Sequence, residues 1–194
     1  YVDRNGDGVI SYEQDRGYVG AAAYPKFVGG LSFSGDWKGI DLSFLFQAGL
    51  GRDVALTGVY SGGIMDNTQM TKPFYHGGNS PKYLVENSWR EDNTNAEFPR
   101  LSIVQASSNN AYSSTFWYRS GDYLRLKNLQ IGYTFPQKWM SRIGIDRLRI
   151  YFEGQNLWTV SELTKFNIDP EQPGVSNGYY PQQRIFSFGV NLAF

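Results

Sequence analysis

Lys38-Gly39-Ile40-Asp41-Leu42-Ser43-Phe44-Leu45-Phe46-Gln47-Ala48-Gly49-Leu50-Gly51 is the stretch that decides the fold. Ile40, Leu42, Phe44, Phe46, Ala48 and Leu50 share one parity; Asp41, Ser43, Gln47 and Gly49 share the other, with Leu45 the one large apolar residue among them. Successive side chains of an extended chain point to opposite faces, so a period of two predicts a β-strand with one apolar face and one polar or small face.

Four further stretches repeat the pattern. Phe186, Phe188, Val190, Leu192 and Phe194 alternate with Ser187, Gly189, Asn191 and Ala193, and Ile185 alone is out of phase. Phe27, Leu31, Phe33 and Trp37 alternate with Lys26, Gly30, Ser32, Ser34 and Asp36, and Leu148, Ile150, Phe152 and Trp158 with Arg147, Arg149, Tyr151, Glu153 and Gln155. Between Asp122 and Phe135 the apolar parity changes midway, from Leu124 and Leu126 to Leu129, Ile131, Tyr133 and Phe135. A one-residue slip would turn every later side chain to the wrong face, so a β-bulge is expected at Lys127-Asn128.

The runs are about 10 to 14 residues, longer than the ~5 to 6 of soluble sheets and near the ~9 to 11 of a tilted membrane strand. A soluble sandwich and a membrane barrel share the same alternation; they differ in which face is buried. Tyr24, Trp37, Tyr133, Phe135, Trp158 and Phe194 stand at strand ends, where interfacial aromatic girdles belong. Short connections at 36–39 and 136–146 alternate with long segments at 52–121 and 159–183 that are rich in Asn, Ser, Gly, Pro and Tyr. Short periplasmic turns alternating with long outer loops is the outer-membrane pattern. The expected fold is therefore all-β: an antiparallel transmembrane β-barrel. Five strands fall short of the roughly eight that close one, and the start Tyr1-Val2-Asp3, without Met, reads as a cut inside a longer polypeptide.

Composition narrows the function. Lys+Arg and Asp+Glu are both 18, which gives no electrostatic case for nucleic acid. Cys is absent, so neither a disulfide framework nor a thiolate metal site is available. No stretch approaches the ~20 apolar residues of a spanning helix. Aromatics at 16% beside 22 Gly are many for a chain that is 19% charged, and the strand faces account for them.

Asp3-Arg4-Asn5-Gly6-Asp7-Gly8-Val9 fits the opening of an EF-hand-type calcium loop. Asp3, Asn5 and Asp7 offer side-chain oxygens at places one, three and five, Gly8 allows the sharp turn, and Val9 offers its carbonyl. Place twelve is Gln14, so Asp15 is the acid expected to close a Ca²⁺ shell; the other reading is a plain Asx-rich turn. His76, the only histidine, reads as a solvated loop residue without a role. Asp169-Pro170-Glu171 could form an acid pair for glycoside hydrolysis but reads as solvated turn residues. Gly29-Gly30 and Gly62-Gly63 lack the spacing of a phosphate loop. Tyr112, Phe116, Trp117, Tyr118 and Tyr123, with Tyr179-Tyr180-Pro181, could stack on sugars or peptides at a barrel mouth or could pack the loops.

Several of these pieces together resemble one family. Asp3 to Gly8, Pro25 to Gly30, Trp37 to Ser43, Pro99-Arg100, Phe116-Trp117, Ser120 to Asn128, Gly132 to Pro136, Gln155-Asn156-Leu157, Asp169-Pro170-Glu171 and the final Phe194 are similar, in that order, to SusC/RagA-like TonB-dependent transporters of the outer membrane of Bacteroidota. The resemblance implies a barrel of roughly 22 strands with an N-terminal plug energised through TonB. Residues 1–194 would be its C-terminal part, about the last five strands, with 1–21, 52–121 and 159–183 as extracellular loops and the plug outside this chain. It further implies import of glycans or peptides with a SusD-like surface lipoprotein as lid, and recognition of the C-terminal aromatic strand by the barrel-assembly machinery. Catalysis is not expected. The alternative function kept beside this one is a non-transport β-protein, such as a secreted carbohydrate-binding β-sandwich.

Overall fold

The computed structural model describes residues 2–56, 81–101, 114–173 and 182–194. Seven strands lie among them: β1 (Phe27–Trp37), β2 (Ile40–Leu50), β3 (Asp53–Ala55), β4 (Tyr118–Ser120), β5 (Tyr123–Thr134), β6 (Arg147–Ser161) and β7 (Ile185–Ala193). The chain divides into two compact units, Tyr1–Ala23 with Asp53–Ser120, and Tyr24–Arg52 with Gly121–Phe194.

The second unit is one five-stranded antiparallel sheet in the order β1-β2-β5-β6-β7. All five strands expected from the alternation are present. The register brings their apolar parities together. Leu31 pairs with Phe46, Phe46 with Leu126 and Leu126 with Trp158; two rows on along the same face, Leu42, Ile131, Phe152 and Phe188 are successive partners. Phe33 stacks on Phe44 at 5.3 Å and Phe152 lies 5.2 Å from Phe188, so cross-strand aromatic pairs knit this face.

That face is uncovered. Phe27, Leu31, Trp37, Phe186, Phe188 and Val190 are each more than half exposed, Phe188 at 83%. Left to water, each forgoes about 1.5–3 kcal/mol of burial, and together that rivals the ~5–15 kcal/mol stability of a whole domain. A β-sandwich would bury such a face against a second sheet; among the described residues no second sheet packs on this one. No helix among them is long and apolar enough to cross a membrane, a statement that does not bear on strands.

Two devices fix the register. At the β1–β2 hairpin, Lys38 (φ 49°) and Gly39 (φ 88°) both take positive φ, the pattern of a type I′ turn whose twist matches the flanking strands. A side chain at Gly39 would stand 2.6 Å from the Thr134 carbonyl oxygen, and the Thr134 N–H donates to the Gly39 carbonyl at 2.7 Å, so this turn also anchors the end of β5. The second device is the expected bulge. Leu126 pairs with Trp158 and Asn128 with Gln155, which leaves Lys127 facing Asn156 and Leu157. Asn156 takes φ 52°, a conformation that Asn tolerates better than most residues. The same shift appears toward β2, where Leu45 pairs with Asn128 and Phe46 with Leu126.

The hairpin and the β5–β6 connection share one end of the sheet. That connection is compact: α2 (Gln137–Met140) runs into a 3-10 turn (Ser141–Ile143), and Gly144 ends it in the left-handed region. The chain enters and leaves the longer segments at the opposite end.

Part of the segment 52–121, read from sequence as a long loop, forms a small packed body in the first unit, in which β3 pairs with β4 and a short helix, α1 (Lys82–Glu86), contributes Leu84. Leu56, Leu84, Phe98 and Trp117 are buried together with Val54. Phe98 stacks on Trp117 at 6.2 Å, and Glu97 joins Tyr83 (2.7 Å) to Arg119 (3.2 Å). Trp117 is therefore a core residue, which settles its part of the aromatic cluster toward packing.

Candidate functional site

The polar face of the five-stranded sheet carries the charged groups. Asp41 on β2 and Arg149 on β6 are not on adjacent strands, yet Arg149 Nε and Nη2 donate to the two Asp41 carboxylate oxygens at 2.9 and 2.5 Å. Gly132 on β5 makes this possible, because a Cβ there would stand 2.6 Å from both partners. Tyr123 turns its ring over Gly49 on the same face, and its hydroxyl accepts from Gln47 at 3.2 Å. Tyr123 thus belongs to the sheet and Trp117 to the first unit, so the aromatic cluster seen in sequence is not one site.

Nearer the long-segment end of the sheet, Arg125 is buried at 3% exposure and each of its three side-chain nitrogens donates to a partner. Nε donates to Thr159 (2.9 Å), Nη2 to Asp169 (2.9 Å), and Nη1 to Gln182 (2.7 Å) and to Glu171. Lys127, two residues on, donates to both Glu171 oxygens at 3.1 and 3.2 Å, and Arg52 donates to the Pro170 carbonyl at 3.2 Å. Buried charges are tolerable only when paired and fully hydrogen-bonded, and this cluster of two cations and two anions meets that condition.

The expectation that Asp169 and Glu171 are solvated turn residues is corrected by this geometry. Both are held against β5, with side chains only 18% and 13% exposed. The sequence did carry a signal: Arg125 and Lys127 are two apart on one strand parity, and so are the acids that meet them. A turn after a 3-10 segment (Glu162–Phe166), itself anchored by buried Leu163 and Phe166, delivers the acids to that spot. The same guanidinium also takes Gln182, just before β7, so Arg125 holds the chain on both sides of residues 172–181.

At the N-terminal loop the residues expected to bind Ca²⁺ are drawn into one turn by their own backbone. Asp3 accepts from the N–H groups of Gly6 (2.7 Å) and Gly8 (2.8 Å), Asn5 from that of Asp7 (3.1 Å), and Asp7 from that of Val9 (2.8 Å). Asp15 accepts from the Ser11 and Arg4 N–H groups at 2.6 and 2.7 Å, which hold its carboxyl below the ordinary range. Gln14 instead accepts from Asn5 Nδ2. Each carboxylate oxygen keeps a second lone pair, and oxygen donors are the kind that Ca²⁺ takes. Among the described residues no three Asp, Glu, His or Cys side chains gather closely enough to hold a metal by themselves; a shell here would draw also on Asn5 and the Val9 carbonyl. His76, Gly62-Gly63, Tyr112 and Tyr179-Tyr180-Pro181 lie outside the described residues.

No family model matches the chain. Among curated proteins it is 29% identical to TonB-dependent receptor P3 of Formosa agariphila, across all of this chain and 19% of that protein. It is 26% identical to TonB-dependent receptor SusC of Bacteroides thetaiotaomicron, again across all of this chain and 17% of that one. The chain thus spans about a fifth of the length of the curated relatives it matches. Among solved structures it superposes on the RagAB peptide importer in the closed-closed state with a TM-score of 0.60 at 25% identity, covering all of this chain and 20% of that one. A second structure of the RagAB peptide transporter gives 0.59 at 26% identity over 91% of this chain and 18% of that one. By sequence along its whole length and by fold, the chain is a homologue of the TonB-dependent receptors of the SusC and RagA kind.

Proposed function

We propose that this chain is the C-terminal part of the barrel wall of a TonB-dependent importer in the outer membrane, which takes up oligosaccharides or peptides with a SusD-like surface lipoprotein as its lid. In this reading the apolar face meets lipid and the polar face, with Asp41, Arg149 and the Arg125 cluster, lines the lumen. The Lys38-Gly39 turn and the 135–146 connection face the periplasm. Segments 1–21, 52–121 and 159–183 lie outside the cell, and the plug and the other strands of a roughly 22-stranded barrel come from the rest of the protein. The observation that carries the reading is the apolar face that runs in register across five strands and is left uncovered. The similarity to the RagAB peptide importer supports the peptide arm; the oligosaccharide arm rests on the sequence resemblance alone. We further propose that Asp3, Asn5, Asp7, Asp15 and the Val9 carbonyl hold Ca²⁺ in an outer loop, a reading supported by their spacing and by the Gly8 N–H bond to Asp3.

The test is genetic and biochemical. The full-length protein should require detergent for solubility, and deleting it should abolish growth on one class of oligosaccharide or peptide in a TonB-dependent way. A full-length protein soluble without detergent, or growth unaffected by loss of TonB, would sink the proposal.

A further inference from the structure

Outside the sheet, the first unit holds a cavity of about 380 Å³, within the ~300–1,000 Å³ range of small-molecule sites. Its apolar walls come from Val85 and Leu101, and its chemistry from Trp89, Arg90, Glu91 and Arg100. The frame around it, residues 87–98, is held by hydrogen bonds. Ser88 is buried, the Trp89 N–H donates to the Phe98 carbonyl at 2.9 Å, and the Phe98 N–H donates to the Asn87 carbonyl at 2.9 Å. Arg90 and Asn93 exchange backbone hydrogen bonds, and Asn93 Nδ2 donates to the Glu86 and Ser88 carbonyls.

The two arginines differ in what they can offer a ligand. Arg90 is committed to its own segment, with Nη1 on the Val85 carbonyl at 3.0 Å and Nε on Asp92 at 3.2 Å. Arg100 is exposed and has no hydrogen-bond or ion-pair partner among the described residues, so its planar fork is available for a bidentate carboxylate. Trp89, 37% exposed, presents an indole to the same space. Glu91 at the rim would repel a second acid on the ligand.

We propose that this cavity binds a small ligand bearing one carboxylate beside a flat apolar face, with Arg100 taking the carboxylate and Trp89 stacking on the face. The site serves as a capture point on the importer proposed above, and its biological use rests on that reading, while its binding chemistry does not. Two sources carry such a group, the C-terminus of a peptide and an acidic sugar.

Binding can be measured by calorimetry on the purified full-length protein in detergent, which separates this proposal from the import reading. The probes are glycyl-phenylalanine against its C-terminal amide, and glucuronate against glucuronamide. One carboxylate probe should bind, and the pair that binds identifies the source. Its amide should bind about tenfold or more weakly, as should the acid itself to Arg100→Gln, the cost of one charge-assisted hydrogen-bond set. Trp89→Leu should weaken acid and amide alike. Both variants must keep wild-type melting, and Arg100→Lys, which retains charge without the fork, should fall between. Failure of both acids to bind, or equal binding to wild type and a folded Arg100→Gln, overturns the proposal.

Discussion

Arg149 on β6 reaches across Gly132 on β5 to hold Asp41 on β2, so one ion pair spans three strands. The absence of a side chain at position 132 is a condition of that contact. Gly132→Ala should push the two charged ends apart and destabilise the full-length protein by about 1–2 kcal/mol. In an Asp41→Ala/Arg149→Ala background the same substitution should cost little, because the atoms that a methyl group would meet are gone. Melting followed by heat-dependent migration on gels measures both. Equal costs in the two backgrounds would mean that Gly132 serves some other purpose.

Arg125 should be the least replaceable charge in the second unit. Arg125→Met leaves Asp169 without a cation and Glu171 with Lys127 alone, and an uncompensated buried charge costs on the order of 3–5 kcal/mol. Lys127 is 24% exposed, so Lys127→Met should cost clearly less. Hydrogen exchange across 162–173 should rise strongly in the first variant and slightly in the second. A reversed order would show that Lys127, not Arg125, pins the segment.

Periodicity made most of the sheet legible, and the reason is physical. A strand with one face in an apolar medium writes its register into every second residue, and Phe44, Phe46, Leu126 and Phe188 carry that pattern without tertiary help. Even the bulge could be read, because Leu126 to Leu129 changes parity within one strand; its partner bulge at Asn156 could not, since Gly154 and Leu157 blur the alternation there. The Arg125 cluster was missed because its cations and its acids lie 44 residues and more apart, and local sequence cannot tell a solvated Asp-Pro-Glu turn from one pressed onto a guanidinium. The core of Leu56, Leu84, Phe98 and Trp117 was missed for the same reason: its residues are dispersed among polar ones and show no period.

The N-terminal turn should respond to acid and to chelation in different ways. The Ser11 and Arg4 N–H groups lower the folded-state pKa of Asp15 relative to its ordinary 3.8. Its contribution is therefore fully present above that value and is lost as pH falls through the lowered one. Protease cleavage after Arg4 and Arg16, measured with an acid-tolerant enzyme after brief acid exposure, should rise only at the acid end of the range. Asp15→Asn should raise cleavage already at neutral pH. If Ca²⁺ is bound, chelation at neutral pH should lower melting in wild type but not in Asp3→Ala. Identical melting with and without chelator would leave the turn held by its backbone bonds alone.

The assignment of the two sheet faces makes the most direct prediction. Phe188 sits near the middle of β7 opposite Phe152, while its neighbour Ser187 pairs with Glu153 on the other face. Phe188→Arg should cost about 2–4 kcal/mol if that face meets the hydrocarbon core. Ser187→Arg places its charge beside Glu153 and should cost far less. Spin labels give the same contrast without a charge: at Phe44, Phe46, Phe186, Phe188 and Leu192 they should be quenched by lipid-soluble reagents, and at Ser43, Gln47, Ser187 and Asn191 by water-soluble ones. The polar set must then respond together, because the pairings from β2 through β5 and β6 to β7, with the bulge taken into account, put its residues on one side of the sheet. If both label sets show the same lipid accessibility, or Ser187→Arg is as damaging as Phe188→Arg, the apolar face does not meet lipid and the barrel-wall reading fails.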